Sequence, residues 1–172
     1  MKRILLITVT VAILAGTSKA GLGWTLDECI RHYGSIDYSD TDEFFTGLPK
    51  HHFKVKDFEI TAVINNEGKV VRIAYFSHVM SEQDISNLLA GNAPKTEWKI
   101  RLKEHTRSQG DRVVWDGFED GTRKYLADSW TILDEQANPQ IYGAKVLEIE
   151  NLEYEALKKS YEERRAKSLR DM

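Results

Sequence analysis

Between residues 26 and 33, apolar residues recur with the period of an α-helix. They occupy positions i, i+3, i+4 and i+7, which share one helical face: Leu26, Cys29, Ile30 and Tyr33. Thr25 and Glu28 flank the first turn as a capping box, in which each side chain binds the other residue's backbone N–H. Gly34 follows the last apolar position, where helices commonly end. The pattern therefore predicts a short helix over residues 26–33.

The period then changes to that of strands. Residues 35–50 carry Ser, Asp, Gly and Pro and are predicted to form a loop that leads past His51 and His52 into a strand. Apolar and polar residues alternate over 58–64 and again over 71–75, on either side of Asn-Asn-Glu-Gly, which predicts a β-hairpin. Ser81 is expected to cap a second helix that ends at Gly91.

Further strands follow the second helix. Trp98, Ile100 and Leu102 alternate with basic residues, which predicts a half-buried strand. Additional strands are expected at 113–115, 125–127, 130–133 and 144–149, with a turn at Glu-Asp-Gly 119–121. Residues 152–169 are strongly charged and predict a C-terminal helix that is docked at its start.

This order of elements predicts an α+β fold, with short helices packed on an antiparallel sheet and a charged C-terminal helix at 151–170. Crossover helices do not alternate regularly with the strands, which argues against a doubly wound parallel sheet. We expect a single domain over residues 21–172. Segments 21–79 and 80–150 each begin with a capped helix and continue into strands, so two tandem halves are a possible internal organisation.

The first twenty residues are typical of a secretory signal peptide. Lys2 and Arg3 precede an apolar run over 4–15, and Ser18 and Ala20 place small residues at positions −3 and −1 of a cleavage site. The run is too short to span a bilayer as a helix. We therefore expect cleavage after Ala20, a secreted or periplasmic protein, and no integral membrane segment after cleavage.

Composition excludes several function classes. Removal of the predicted signal takes three basic residues and no acid, so the formal net charge changes from −3 to −6. An acidic chain without a basic stripe argues against nucleic acid or an anionic membrane surface as a partner. Cys29 is the single cysteine, which rules out an internal disulfide.

One stretch resembles known envelope proteins. Residues 23–34, Gly-Trp-Thr-Leu-Asp-Glu-Cys-Ile-Arg-His-Tyr-Gly, and 67–75, Glu-Gly-Lys-Val-Val-Arg-Ile-Ala-Tyr, resemble small secreted bacterial proteins. More distantly, they are similar to the SmpA/OmlA-type domain and to the tandem β-lactamase-inhibitor-protein fold. The chain departs from these families because Thr17 stands where a lipobox has Cys, and because no Pro follows Gly34. The resemblance implies protein binding in the cell envelope and carries over no catalytic residue.

Two residue groups offer an enzymatic alternative, a small secreted hydrolase. Cys29 and His32 lie at i and i+3 and could form a nucleophile–base pair, although Cys29 also shares the apolar helix face and fits a core position. Carboxylates near Asp116, including Glu119 and Asp120, could act as an acid–base pair, or simply form turns. The histidines have no spacing typical of metal ligands, so neither a metal nor a cofactor is predicted.

Exposed aromatic residues offer a binding alternative. Trp130, Tyr125 and Tyr142 are candidates for a surface that binds a protein or, in a further alternative, a carbohydrate. A second candidate surface is the stripe of the C-terminal helix: Tyr154, Leu157 and Tyr161. The favoured hypothesis is an exported, non-enzymatic module that binds an envelope or extracellular protein.

Overall fold

Three helices and one eight-stranded antiparallel sheet make up the computed structural model, which describes residues 21–43, 45–106, 110–133 and 142–170. The elements follow one another as α1 (Leu26–Tyr33), β1 (Tyr38–Thr41), β2 (Pro49–Val55), β3 (Phe58–Ile64), β4 (Val70–Ser77), α2 (Glu82–Asn92), β5 (Glu97–Thr106), β6 (Gly110–Glu119), β7 (Thr122–Thr131), β8 (Lys145–Asn151) and α3 (Leu152–Arg170). The predicted α+β class is confirmed. The predicted signal segment lies outside the described residues.

The sheet consists of two meanders joined side by side. Each of α1 and α2 is followed by four strands, and the spatial order β1-β2-β3-β4-β8-β7-β6-β5 makes β4 and β8 neighbours. These two strands pair antiparallel from Arg72 opposite Glu150 to Ser77 opposite Lys145. The order of elements, one helix and then four strands, therefore occurs twice along the chain.

Local sequence signals account for both capped helices. In α1, Glu28 donates its backbone N–H to Thr25 Oγ1 at 3.3 Å, and Thr25 donates its own to Glu28 Oε2 at 2.7 Å. Ser81 and Asp84 form the equivalent capping box at the start of α2. Gly34 ends α1 with φ = +93°, a value that residues with a Cβ rarely adopt.

One sheet face is covered by α1 and α2. The core between them includes side chains from both meanders, among them Phe53, Ile73, Leu147 and Ile149. Its buried polar groups satisfy one another, since the Tyr33 and Tyr75 hydroxyls lie 3.0 Å apart and Asn92 Nδ2 donates to the Tyr75 hydroxyl at 3.0 Å. This arrangement follows the rule that buried polar groups have hydrogen-bond partners.

The opposite sheet face is partly covered by α3 and by the loop between β1 and β2. A second core cluster forms there: Leu48, Val63, Val71, Tyr154 and Leu157. The buried Tyr154 hydroxyl donates to Asp42 Oδ2 at 2.9 Å and so joins α3 to the loop. The C-terminal helix is thus docked at its start, whereas residues 162–168 are exposed.

Three sequence predictions about local structure are wrong. Residues 35–50 do not form only a loop, because β1 and the first residues of β2 lie there and pair from Tyr38 opposite His52 to Thr41 opposite Pro49. Helix α2 continues past Gly91 to Asn92, whose Nδ2 donates to the carbonyl oxygen of Leu88. Segments 125–127 and 130–133 are not separate strands, since the single strand β7 contains the first and ends within the second, at Thr131.

The strand predicted at Trp98 exists, but its burial differs from the prediction. Trp98 is half-buried under α2 and donates its indole N–H to the carbonyl oxygen of Leu89 at 3.3 Å. Ile100 and Leu102 are 61% and 39% exposed on the edge strand β5, and a register shift between them places them on opposite faces of the sheet, paired with Trp115 and Val114. Alternation predicted the strand correctly, and its place in the sheet decided which side chains are covered.

Candidate functional site

The proposed Cys29–His32 pair is divided between the core and the surface. Cys29 is fully buried among the apolar residues beneath α1, while His32 is exposed and packs edge-on against Trp24 at 5.1 Å between ring centroids. Burial and the nearby Glu28 carboxylate raise the pKa of the Cys29 thiol to about 12. A thiol with this pKa stays protonated at neutral pH and is a poor nucleophile.

The carboxylates near Asp116 are engaged in contacts within the fold. Asp116 Oδ1 lies 2.8 Å from Arg123 Nε and 3.5 Å from Arg101 Nη1. Glu119 accepts hydrogen bonds from Thr96 and Tyr125, each at 3.2 Å. Asp120 has φ = +49° in the turn between β6 and β7. Asp120 thus has the turn role that the sequence left open beside the catalytic one, whereas the ion pairs of Asp116 and the hydrogen bonds of Glu119 were not predicted.

The aromatic candidates do not share one surface. Tyr125 packs 6.2 Å from Trp98 on the helix-covered face, whereas Trp130 lies on the opposite face. Tyr142 is 42% exposed, next to residues outside the described ranges.

On α3, the stripe that was a candidate for binding a partner is used largely within the fold. Tyr154 is 1% exposed, and Leu157 packs against the same cluster as Tyr154. The Tyr161 hydroxyl donates to the carbonyl oxygen of Glu43 at 2.7 Å. Tyr154 therefore has no surface to offer a partner, and docking of α3 is the role that its contacts support.

A histidine constellation at β1 and β2 was missed by the sequence interpretation. His52 Nε2 lies 3.0 Å from Asp40 Oδ1, and its Nδ1 lies 3.1 Å from the Thr61 hydroxyl. The Tyr38 ring stacks on the imidazole with centroids 3.9 Å apart. Asp, His and Thr are residue types of a hydrolytic triad, but Thr61 is buried in the sheet. We therefore interpret the Asp40–His52–Thr61 contacts as interactions that hold the edge strand β1 on the sheet.

The most distinctive surface is the part of the sheet that α3 leaves uncovered. We call it the open face; on β6, β7 and β8 it carries Arg112, Leu126, Asp128, Trp130 and Glu148. A cleft of about 380 Å³ lies where this face meets α3 and the β1–β2 loop. Lys158 of α3 and Phe45 of the loop form the far side of the cleft, with the Lys158 ammonium 4.8 Å from the centre of the Phe45 ring.

Arginines on the open face are held by carboxylates on neighbouring strands. Arg72 is ion-paired with Glu148 across the β4–β8 seam, and its guanidinium lies 5.6 Å from the centre of the Tyr154 ring. Arg112 Nε donates to both carboxylate oxygens of Asp128, at 3.0 and 3.1 Å, and Nη1 donates to Glu104 at 3.2 Å. Such paired guanidinium groups form a rigid, preorganised surface.

Glu150 differs from these paired carboxylates. It lines the cleft, is only 7% exposed, and receives no hydrogen bond from the residues that the structure describes. Burial, and secondly the negative charge of Glu148, raise its pKa to about 7. Nothing in the strand pattern singled out this residue, since an acidic side chain between Ile149 and Asn151 is ordinary for a half-covered strand.

Comparison with known proteins identified no relative of this chain. The chain matches no family model, no curated protein and no solved structure. The resemblance of residues 23–76 to envelope domains therefore stays a prediction. Within the described ranges, no group of three or more His, Cys, Asp or Glu side chains could hold a metal ion, and no helix could span a membrane.

Proposed function

We propose that this protein is an exported, non-enzymatic module that binds another protein of the envelope or extracellular space through the open face. The observation that carries the proposal is the half-buried Trp130 beside the cleft, set among arginines that carboxylates hold in place. Tryptophan and arginine are the residues most enriched among the energetically dominant contacts of protein interfaces. The proposal includes the predicted signal peptide as the route of export.

The burial pattern supports binding more than chemistry. The thiol of the candidate nucleophile lies in the core with a raised pKa, and the carboxylates near Asp116 are engaged by arginines and hydroxyls. The open face instead offers apolar surface at Leu126 and Trp130 together with fixed charges of both signs. This combination of an apolar centre and a charged surround is typical of a protein interface.

Photo-crosslinking in the native envelope tests the proposal, because β5 presents adjacent residues to opposite faces. Arg101 lines the cleft, whereas Ile100 pairs with Trp115 on the helix-covered face and is 61% exposed. A photoreactive residue at position 101 should give one discrete protein adduct that Trp130→Ala abolishes. The same group at position 100 is the matched control. Equal adducts at the two positions, or an adduct at 101 that survives Trp130→Ala, would overturn the proposal.

A further inference from the structure

We propose that the protein partner presents an acidic segment to the open face, and that one of its carboxylates enters the cleft and pairs with the Lys158 ammonium. This inference rests on the proposed function and names the chemistry of the partner. Its supports are the pairing of the carboxylates in the cleft, the incomplete compensation of two of its cations, and the net positive charge of the exposed part of α3.

The three carboxylates that line the cleft are either paired or buried. Glu148 is ion-paired with Arg72, and both carboxylate oxygens of Asp128 accept from Arg112 Nε. Glu150, the third, is only 7% exposed. An incoming carboxylate would therefore meet two acids whose charge an arginine already compensates and one that is covered.

Two of the four cations that line the cleft are less closely held. Lys158 forms no ion pair with any residue that the structure describes, and the acid that it faces is the buried Glu150. The Arg101 side chain is 49% exposed, and its Nη1 lies 3.5 Å from Asp116, an acid that Arg123 holds more closely at 2.8 Å. The charge that the cleft offers to a partner is therefore positive, at Lys158 and Arg101.

Helix α3 places further positive charge next to Lys158. Residues 158–168 carry five basic and two acidic side chains, whereas the rest of the chain carries 19 basic and 25 acidic ones. Residues 162–168 are exposed, so their charges face solvent or a partner. In a chain that is acidic as a whole, this concentration favours an acidic partner surface, because complementary potentials steer association and fix its register.

Protonation of Glu150 should strengthen the pairing at Lys158. Burial, and secondly the charge of Glu148, raise the pKa of Glu150 to about 7, so the carboxyl is protonated below neutral pH and ionised above it. The charged groups around it lie on four elements: Glu148 on β8, Glu155 and Lys158 on α3, Arg72 on β4, and Asp128 on β7, which Arg112 neutralises. As the pH falls from 8 to 6, Lys158 loses the negative charge of Glu150, and an acidic segment should bind more tightly.

A pair of short peptides tests the inference without knowledge of the partner. N-acetyl-Glu-Leu-Glu amide carries two carboxylates beside one apolar side chain, and N-acetyl-Gln-Leu-Gln amide has nearly the same shape without the charges. We expect the acidic peptide, but not the uncharged one, to shift the indole N–H signal of Trp130 in a titration followed by NMR. The acidic peptide should bind more tightly at pH 6 than at pH 8, and binding should weaken as salt is added.

Lys158→Gln supplies the decisive variant, and Lys159→Gln is its matched control. Each removes one positive charge from α3, but Lys159 is exposed and does not line the cleft. Lys158→Gln should weaken binding of the acidic peptide about fivefold, and Lys159→Gln less than about twofold. Equal losses in the two variants, or an equal response of the wild type to the two peptides, would refute the inference.

Inorganic phosphate tests the other source of negative charge. A shift of the Trp130 signal with phosphate, and none with the acidic peptide, would mean that these cations hold a phosphate group instead of a carboxylate, and would also refute the inference. Position 101 could still give the protein adduct that Trp130→Ala abolishes in each of these cases, so this failure is separable from failure of the proposed function.

Discussion

At the scale of single residues, burial decides the chemistry of Cys29. The side chain is fully buried and its thiol pKa is raised to about 12, so the reactive thiolate is scarce at neutral pH. We expect a thiol reagent at pH 7.5 to label the folded protein only after denaturant is added. Because Cys29 is the single cysteine, the labelling signal has one source. Rapid labelling of the folded protein would restore the enzymatic alternative.

Glu150 connects a single side chain to the stability of the protein. Its pKa is raised from 4.5 to about 7, so the folded state binds its proton more tightly than the unfolded state does. The stability associated with the protonated form is fully present below pH 4.5 and is lost as the pH rises through 7. The total is of the order of 3 kcal/mol.

Glu150→Gln keeps the side chain neutral at every pH and should remove this dependence. We expect the variant to match the wild type near pH 4 and to be more stable at pH 8 by up to about 3 kcal/mol in urea unfolding. If the wild type were as stable as Glu150→Gln at pH 8, or more stable, the raised pKa of Glu150 would be contradicted.

At the scale of secondary-structure elements, the sequence was informative where local signals act alone. The capping box and helical period identified α1, and alternation identified the β3–β4 hairpin. Strand β1 was missed because its four residues, Tyr-Ser-Asp-Thr, are all exposed and show no alternation. Its strand conformation comes from pairing with β2 and from the His52 contacts, which no local pattern encodes.

Two tyrosine hydroxyls connect helix α3 to the β1–β2 loop, and their contributions to its docking can be measured separately. The Tyr154 hydroxyl is buried and donates to Asp42, whereas the more exposed Tyr161 hydroxyl donates to the backbone of Glu43. Tyr154→Phe should destabilise the protein by about 1–3 kcal/mol, since a buried carboxylate loses a donor. Tyr161→Phe is the matched control and should cost less, within about 0.5 kcal/mol of the wild type in urea unfolding. Equal costs would mean that the Asp42 contact does not hold α3.

At the scale of the whole molecule, the cleft is a product of topology. Its lining comes from positions as distant in sequence as Phe45, Arg72, Arg112, Glu150 and Lys158. Only the pairing of β4 with β8 and the return of α3 over the sheet bring them together. The sequence therefore offered Trp130 as an isolated aromatic candidate, and it could not indicate which charges would surround it.

The β4–β8 seam should also make the two meanders unfold together. Six residue pairs join these strands, and the core beneath the helices combines Ile73 and Tyr75 of β4 with Leu147 and Ile149 of β8. Separating the halves would expose this shared apolar surface, which favours a single cooperative transition.

This cooperativity is tested by destabilising α1, in the first helix-and-meander half, and following the unfolding of the second half. Thr25→Ala removes the capping box of α1 and should cost about 1 kcal/mol. Trp24 reports on the first half, and Trp98, Trp115 and Trp130 on the second, through separate indole N–H signals of one labelled sample. We expect all four signals to disappear at one urea concentration in the wild type, and at one lower concentration in the variant. If Thr25→Ala moves only the Trp24 transition, the halves are independent units and the seam does not couple them. If all four unfolding transitions shift together, the open face depends on the stability of both halves, although the first half contributes few of the residues that line it.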